Sequence, residues 1–232
     1  MKSDKPTGDS RPSPKSTFKP LSPLGESVNW VADKSVSVFK RLHIKTQKGG
    51  LPPGTLIHTG EQKTEHTTVT LLHYDEQQVQ ERVIDTIGDY LVDRDKPGIT
   101  WINLEGLHQV EVLQQLGKAF DLHPLVLEDI LNTTQRPKLE DYDTYLYIVL
   151  KMLNYDEQNQ QIMAEQVSMI VMPNLVISFQ EQAGDVFDPI RQRIRNGRGQ
   201  IRKSDADYLA YTLLDAIVDS YFIILEKLGR RY

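Results

Sequence analysis

Residues 145–179, YLYIVLKMLNYDEQNQQIMAEQVSMIVMPNLVISF, contain three runs rich in β-branched and apolar side chains. Tyr145–Leu153, Glu165–Val171 and Leu175–Phe179 read as strands. Asn154–Gln161 separates the first two, and Pro173-Asn174 separates the last two. Both separators have the composition of turns, so the stretch predicts two antiparallel hairpins. Upstream, Thr67–Tyr74 and Ile99–Leu104 read as further strands, the second introduced by Lys96-Pro97-Gly98. Between them, Asp75–Leu91 places Val79, Val83, Ile87 and Leu91 at helical spacing and predicts a helix. Helices are also expected from about His108 to Phe120, and from His123-Pro124 onward, where proline suits the first turn. Downstream, Asp185 or Asp188 caps a short helix with Pro189 in its first turn, arginines toward its end and Gly197 just past it. Ser204–Leu228 is then one long helix without proline or glycine. Strands and helices alternate irregularly, with hairpins and crossovers together, so the fold class is α/β with a mixed sheet covered by helices.

Composition narrows the function. The chain has 232 residues, 39% of them apolar and 25% charged, and no cysteine. A disulfide framework, thiolate metal sites and a cysteine nucleophile are thereby excluded, and a reducing, cytosolic setting fits. The mean hydropathy of −0.44 is too polar for a bundle of spans. Val167–Phe179, the longest mostly apolar stretch, is broken by Pro173-Asn174, so no crossing of a membrane is expected. The N-terminus carries no apolar signal-peptide region. Residues 1–50 hold ten Lys and Arg against four Asp and Glu, leaving 17 against 28 in the remainder. A body this acidic does not suit nucleic acid as a partner. Residues 1–50 read as a disordered basic leader, with a transient helix over Trp30–Phe39 and five of the chain's twelve prolines before residue 27. Gly49-Gly50-Leu51-Pro52-Pro53-Gly54 marks the boundary to a domain over residues 51–203, and residues 204–232 form the long helix.

Two groups of acids stand out. On the last helix, Leu209, Leu213, Leu214, Ile217, Tyr221, Ile224 and Leu228 form a broad apolar face. Asp215, Asp219 and Glu226 fall in a narrow strip elsewhere, beside Tyr208, Tyr211 and Phe222. A solvated face is the ordinary reading of such a strip. Two features count against it: no Lys or Arg lies four residues from Asp215, and large aromatics seldom line a fully wet surface. Like charges at i,i+4 cost a few tenths of a kcal/mol, which a bound cation or a neighbouring subunit would relieve. The second group is Glu128-Asp129 within His123-Pro124-Leu125-Val126-Leu127-Glu128-Asp129-Ile130-Leu131. Adjacent helical residues point about 100° apart. The two acids therefore reach different neighbours, or each lends an oxygen to a hard cation, or they are charges on a rim. His123 reads as a helix cap. No HExxH, GxSxG or Walker pattern is present, and nothing marks an enzyme.

With Gln135-Arg136-Pro137-Lys138 following, the segment from His123 to Asn132 resembles the CorA family of magnesium and cobalt transporters. Thr100-Trp101-Ile102-Asn103, Tyr147–Met152, Glu165–Ser168, Gly184–Pro189, Ala206–Leu209 and Asp215-Ala216 carry the resemblance from about Gly50 to the end. It implies a cytoplasmic α/β/α sandwich leading into a long stalk helix, five copies to a funnel at the inner membrane. Divalent cations, Mg²⁺ or Co²⁺, bound between neighbouring copies would hold the channel shut when internal magnesium is plentiful. By position, Glu128, Asp129 and Asp215 match regulatory ligands, and Asp219 lies one turn further along. The family's pore helices and its Gly-Met-Asn signature are not among the 232 residues, so this portion alone is not expected to conduct ions. A zinc transporter of the same architecture, or a stand-alone soluble metal sensor, are the alternatives.

Overall fold

The computed structural model describes residues 50–91 and 96–229; residues 1–49 of the leader, with its proposed Trp30–Phe39 helix, lie outside them. Seven strands form one sheet: β1 (Thr68–Tyr74), β2 (Val79–Val83), β3 (Ile99–Glu105), β4 (Lys138–Asp141), β5 (Leu146–Asp156), β6 (Gln161–Met172) and β7 (Leu175–Gln180). Their order is β2-β1-β3-β7-β6-β5-β4. All neighbours run antiparallel except β3 and β7, which are parallel, so the sheet is mixed as its sequence predicts. β5, β6 and β7 form the two expected hairpins. The helices are α1 (Gly88–Leu91), α2 (Val110–Ala119), α3 (Pro124–Leu131), α4 (Asp188–Arg195) and α5 (Ala206–Gly229), with a 3₁₀ turn at Ile201–Lys203.

Alternation along the strands builds two cores, one on each face of the sheet. Leu71, Ile102, Val149, Ile170 and Ile177 meet Leu113 and Leu116 of α2 and Val126, Leu127 and Ile130 of α3. On the opposite face Leu72, Trp101, Met169 and Val176 meet Ile190 and Ile194 of α4 and Leu209, Leu213 and Ile217 of α5. Helix, sheet, helix: this is the α/β/α sandwich. Central β3 and β7 are covered on both faces, and for that reason read as continuous apolar runs rather than alternating ones.

Three expectations need correction. Asp75–Leu91 is not one helix: Val79–Val83 is strand β2, and only Gly88–Leu91 is helical. The Asp75 carboxylate accepts from the Gln77 and Gln78 amides at 2.7 and 2.8 Å, closing a turn that returns the chain beside β1. A spacing of four keeps Val79 and Val83 on one face of a strand as well as of a helix, so the pattern does not discriminate. Second, the most apolar long segment is α5 rather than Val167–Phe179. It is long and apolar enough to cross a membrane by length and composition. In this structure one side of it is packed against the sheet through Leu209, Leu213 and Ile217.

Third, the N-cap of α4 is Phe187, not Asp185 or Asp188; it makes no side-chain cap bond, and Asp188 is the first helical residue. Asp185 Oδ1 accepts from the Phe187 amide at 2.9 Å, and Arg191 grips both Asp185 oxygens at 2.7 and 2.6 Å. Gly197, with φ of 62°, takes the left-handed conformation just past the helix. Beyond the end of β4, β5 is paired only with β6, and there α5 lies against it. The Tyr221 hydroxyl donates to the Lys151 carbonyl, and Lys227 pairs with Glu157 near the hairpin tip.

Candidate metal centre

Helix α3 is anchored by Val126, Leu127, Ile130 and Leu131, all buried, which leaves Glu128 and Asp129 half-buried at its rim. His123 caps it, with Nδ1 accepting from the Leu125 amide at 3.2 Å. The acids diverge. Glu128 Oε2 accepts from the Gly54 amide at 2.7 Å. Gly54 has φ of 82°, and a Cβ there would stand 3.2 Å from Pro124 Cβ, so glycine permits this approach of the domain's first turn to α3. Asp129 turns the other way: its Oδ1 accepts from Gln135 Nε2 and its Oδ2 from Lys138 Nζ, each at 2.6 Å. Lys138 also reaches Glu140 Oε1 at 2.7 Å.

Asp215 and Asp219 are exposed on α5, at the edge of a hollow between α4 and α5 whose lining includes Pro189, Arg193 and Ser220. Neither carboxylate has a hydrogen bond or ion pair among the described residues. Beside them an exposed stripe runs Tyr208, Tyr211, Asp215, Val218, Phe222, Leu225, with Phe222 65% and Leu225 62% exposed. Its steps of three and four are those of a helix–helix seam.

The two acid groups therefore belong to opposite layers, α3 on one face of the sheet and α5 on the other. Among the described residues no three His, Cys, Asp or Glu converge on a common point. As donors they suit a hard cation, being oxygens only. A single copy does not bring Glu128 or Asp129 to Asp215 or Asp219.

Sequence reasoning missed what lies behind Asp129. Gln166, buried on β6, donates from Nε2 to the Asp129 carbonyl at 3.3 Å. Its Oε1 accepts from the Gln135 amide at 3.1 Å and from Lys151 Nζ at 3.3 Å, and Lys151 Nζ also donates to the Thr133 carbonyl at 2.8 Å. Burial lowers the basicity of Lys151. Since the Lys151 carbonyl receives Tyr221, a chain of hydrogen bonds crosses the sheet from Asp129 to α5. Also unforeseen are Glu165 and Glu181, which finish the β6–β7 ladder. Glu165 Oε1 accepts from the Glu181 and Gln182 amides at 2.8 and 3.0 Å, while Glu181 Oε1 accepts from the Gln166 amide at 2.8 Å. Lys63 neutralises Glu181 at 2.7 Å. Burial pushes the Glu165 carboxyl up to about 7. The only sequence signal for these was polar Glu165-Gln166 inside a strand.

Comparison with known proteins places this geometry. A family profile described as "CorA-like Mg2+ transporter protein" matches residues 96–232. The "Cobalt/magnesium transport protein CorA" of Thermotoga maritima is 49% identical over 181 residues, 78% of this chain and 51% of that protein. The "Putative metal ion transporter YfjQ" of Bacillus subtilis is 28% identical over 131 residues, 56% of this chain and 39% of that protein. The soluble domain of CorA from Methanocaldococcus jannaschii shares the fold, with a TM-score of 0.54 and 19% identity over 70% of this chain and 60% of that one. The chain thus spans about half the length, or less, of the curated relatives it matches. Profile, identity and fold agree, and the chain belongs to the CorA-like magnesium transporter family.

Proposed function

We propose that this chain is the cytoplasmic, cation-sensing portion of a magnesium and cobalt transporter, with residues 1–50 a leader, 51–203 the sensing domain and 204–232 the start of the stalk. In the complete protein it works as a homopentamer on the inner face of the cell membrane, and the membrane part follows the stalk. Mg²⁺, or Co²⁺ in its place, binds between copies through Glu128 and Asp129 of one and Asp215 and Asp219 of the next, and holds the transporter closed when internal magnesium is plentiful. It transports and senses ions rather than catalysing a reaction.

The observation that supports this reading is the placement of the two acid pairs on opposite layers, one of them beside an exposed seam. Asp215 interrupts a stripe of aromatic and aliphatic side chains that suits packing against another helix. Repeated side by side, copies bury that stripe but crowd carboxylates together, and a divalent cation relieves the repulsion. At 4 Å two such charges repel by about 4 kcal/mol for an effective dielectric of 20. The hydrogen-bond chain from Asp129 through Gln166 and Lys151 to Tyr221 gives the site a physical connection to the stalk.

Sedimentation velocity tests the reading. In excess EDTA the chain should run as monomers or weak dimers, and at ~10 mM Mg²⁺, a concentration chosen for weak oxygen sites, it should shift to larger species. Asp129→Lys or Asp215→Lys should remove the shift. A mass that Mg²⁺ leaves unchanged would overturn the proposal. Assembly driven by micromolar Zn²⁺ but not by Mg²⁺ would transfer it to a zinc transporter.

A further inference from the structure

Asp129 lies in the last turn of α3, where the helix dipole is negative, and that turn carries no basic residue. Its neutralising charge comes from another element. Lys138 opens strand β4, and its Nζ lies 2.6 Å from Asp129 Oδ2 and 2.7 Å from Glu140 Oε1. Lys138 and Glu140 are two apart on one strand and so share a face. The Tyr147 ring lies 5.2 Å from the ammonium, and the Tyr142 hydroxyl donates to the second Glu140 oxygen at 3.1 Å. One ammonium thus stands between two carboxylates, where a cation shared by two oxygen ligands would stand.

Resting on the reading that Asp129 takes up a divalent cation, we propose that Lys138 is a built-in competitor for that cation and that Glu140 is where the displaced ammonium rests. Coordination requires Asp129 Oδ2 to release Lys138. The released ammonium keeps Glu140, already within 2.7 Å, so it is never left without a counter-charge. This exchange weakens the site by a fixed factor. A site that must expel an ammonium fills only when its ion is abundant, which suits a sensor of a plentiful cation and not a scavenger of a scarce one. Lys138 is in this sense an affinity-setting residue and not a ligand.

Calorimetric titration of the 232-residue chain with Mg²⁺, repeated with Co²⁺, tests the inference. Lys138→Met should tighten binding about fivefold, the equivalent of ~1 kcal/mol for one partly buried ion pair. Lys138→Gln should act in the same direction, which guards against a packing defect in either variant. Glu140→Gln should weaken binding about twofold, because the ammonium then rests on Asp129 alone, and should have no effect in the Lys138→Met background. Unchanged or weaker binding in both Lys138 variants, with binding lost in Asp129→Ala, would refute the competitor and leave the site standing. Equal binding in Asp129→Ala and the parent chain would instead remove the site itself. A loss on Glu140→Gln that persists in the Lys138→Met background would make Glu140 a ligand and overturn its resting role.

Discussion

The acids of α3 and the acids of α5 are housed in opposite ways. Asp129 is engaged on both oxygens, by Gln135 and Lys138, and its carbonyl is held by Gln166. Asp215 and Asp219 stand exposed beside an apolar seam. A third arrangement, at Glu165, is neither: the side chain is buried, one oxygen accepts two backbone amides, and the other has no partner among the described residues. The three differ in what compensates the charge. At Asp129 it is an ammonium, at Glu165 two backbone amides, and at Asp215 and Asp219 nothing within the described residues of the chain. That last case is the charge that the proposed cation between copies would relieve.

Each arrangement predicts a different response to loss of the charge. The largest belongs to Glu165. Its folded-state pKa of about 7 is raised above the ordinary 4.5, so the folded state binds the proton more tightly than the unfolded chain. Its contribution is full below pH 4.5 and is lost as pH rises through 7, and two to three pKa units correspond to ~3 kcal/mol. Urea melts from pH 5 to 8 should show that fall, and Glu165→Gln should flatten it and leave the variant the more stable of the two at pH 8. A parent chain whose stability is level across that range would place the charge compensation elsewhere.

Asp129→Ala comes next. It strands the Gln135 amide and leaves Lys138 with Glu140 only, and should cost about 1 kcal/mol in metal-free buffer at pH 7. High salt should shrink the part due to Lys138. The smallest effect has the other sign. Asp215→Ala should stabilise the metal-free chain by about 0.5 kcal/mol, because alanine is the better helix former and a repulsive i,i+4 pair with Asp219 is removed. Destabilisation by Asp215→Ala in chemical melts would reveal an internal partner and erase the contrast between the two helices.

Much of this was legible in the sequence. The hairpins of β5, β6 and β7 follow from β-branched runs divided by turn residues, and α3 from His123-Pro124. The divergence of Glu128 and Asp129 follows from helical geometry alone. The strip of acids and aromatics around Asp215 was legible too, although in the structure its side chains are exposed. What was not legible depended on contacts distant in sequence or on degenerate patterns. Strand β2 escaped because Val79 and Val83 suit either period. Strand β4, Lys138-Leu139-Glu140-Asp141, has an edge strand's protective charge and hence little strand propensity, and with it went the ammonium shared by Asp129 and Glu140. Gln166 and Lys151 face each other across β5 and β6, a register that only pairing fixes. Glu128, Asp129, Asp215 and Asp219 could be picked out as candidates one by one, but not their separation onto two faces of the sheet.

The single parallel junction in the sheet has a consequence for how the protein is made. Asn103 of β3 and Ser178 of β7 lie 75 positions apart in the sequence, yet the Ser178 hydroxyl donates to Asn103 and accepts from the Trp101 indole across that seam. Every other pairing joins strands that are consecutive or nearly so, and can form as the chain emerges from the ribosome. The seam cannot: β3 leaves the ribosome with β1 beside one edge and must keep its other edge open while some seventy residues are synthesised. During that interval Ile99–Leu104, apolar on both faces, is a strand edge seeking a partner. The hazard ends only when β7 arrives. This chain is thus most exposed to misassociation while the residues between β3 and β7 are being synthesised, when neighbouring copies on the same message offer the same open edge.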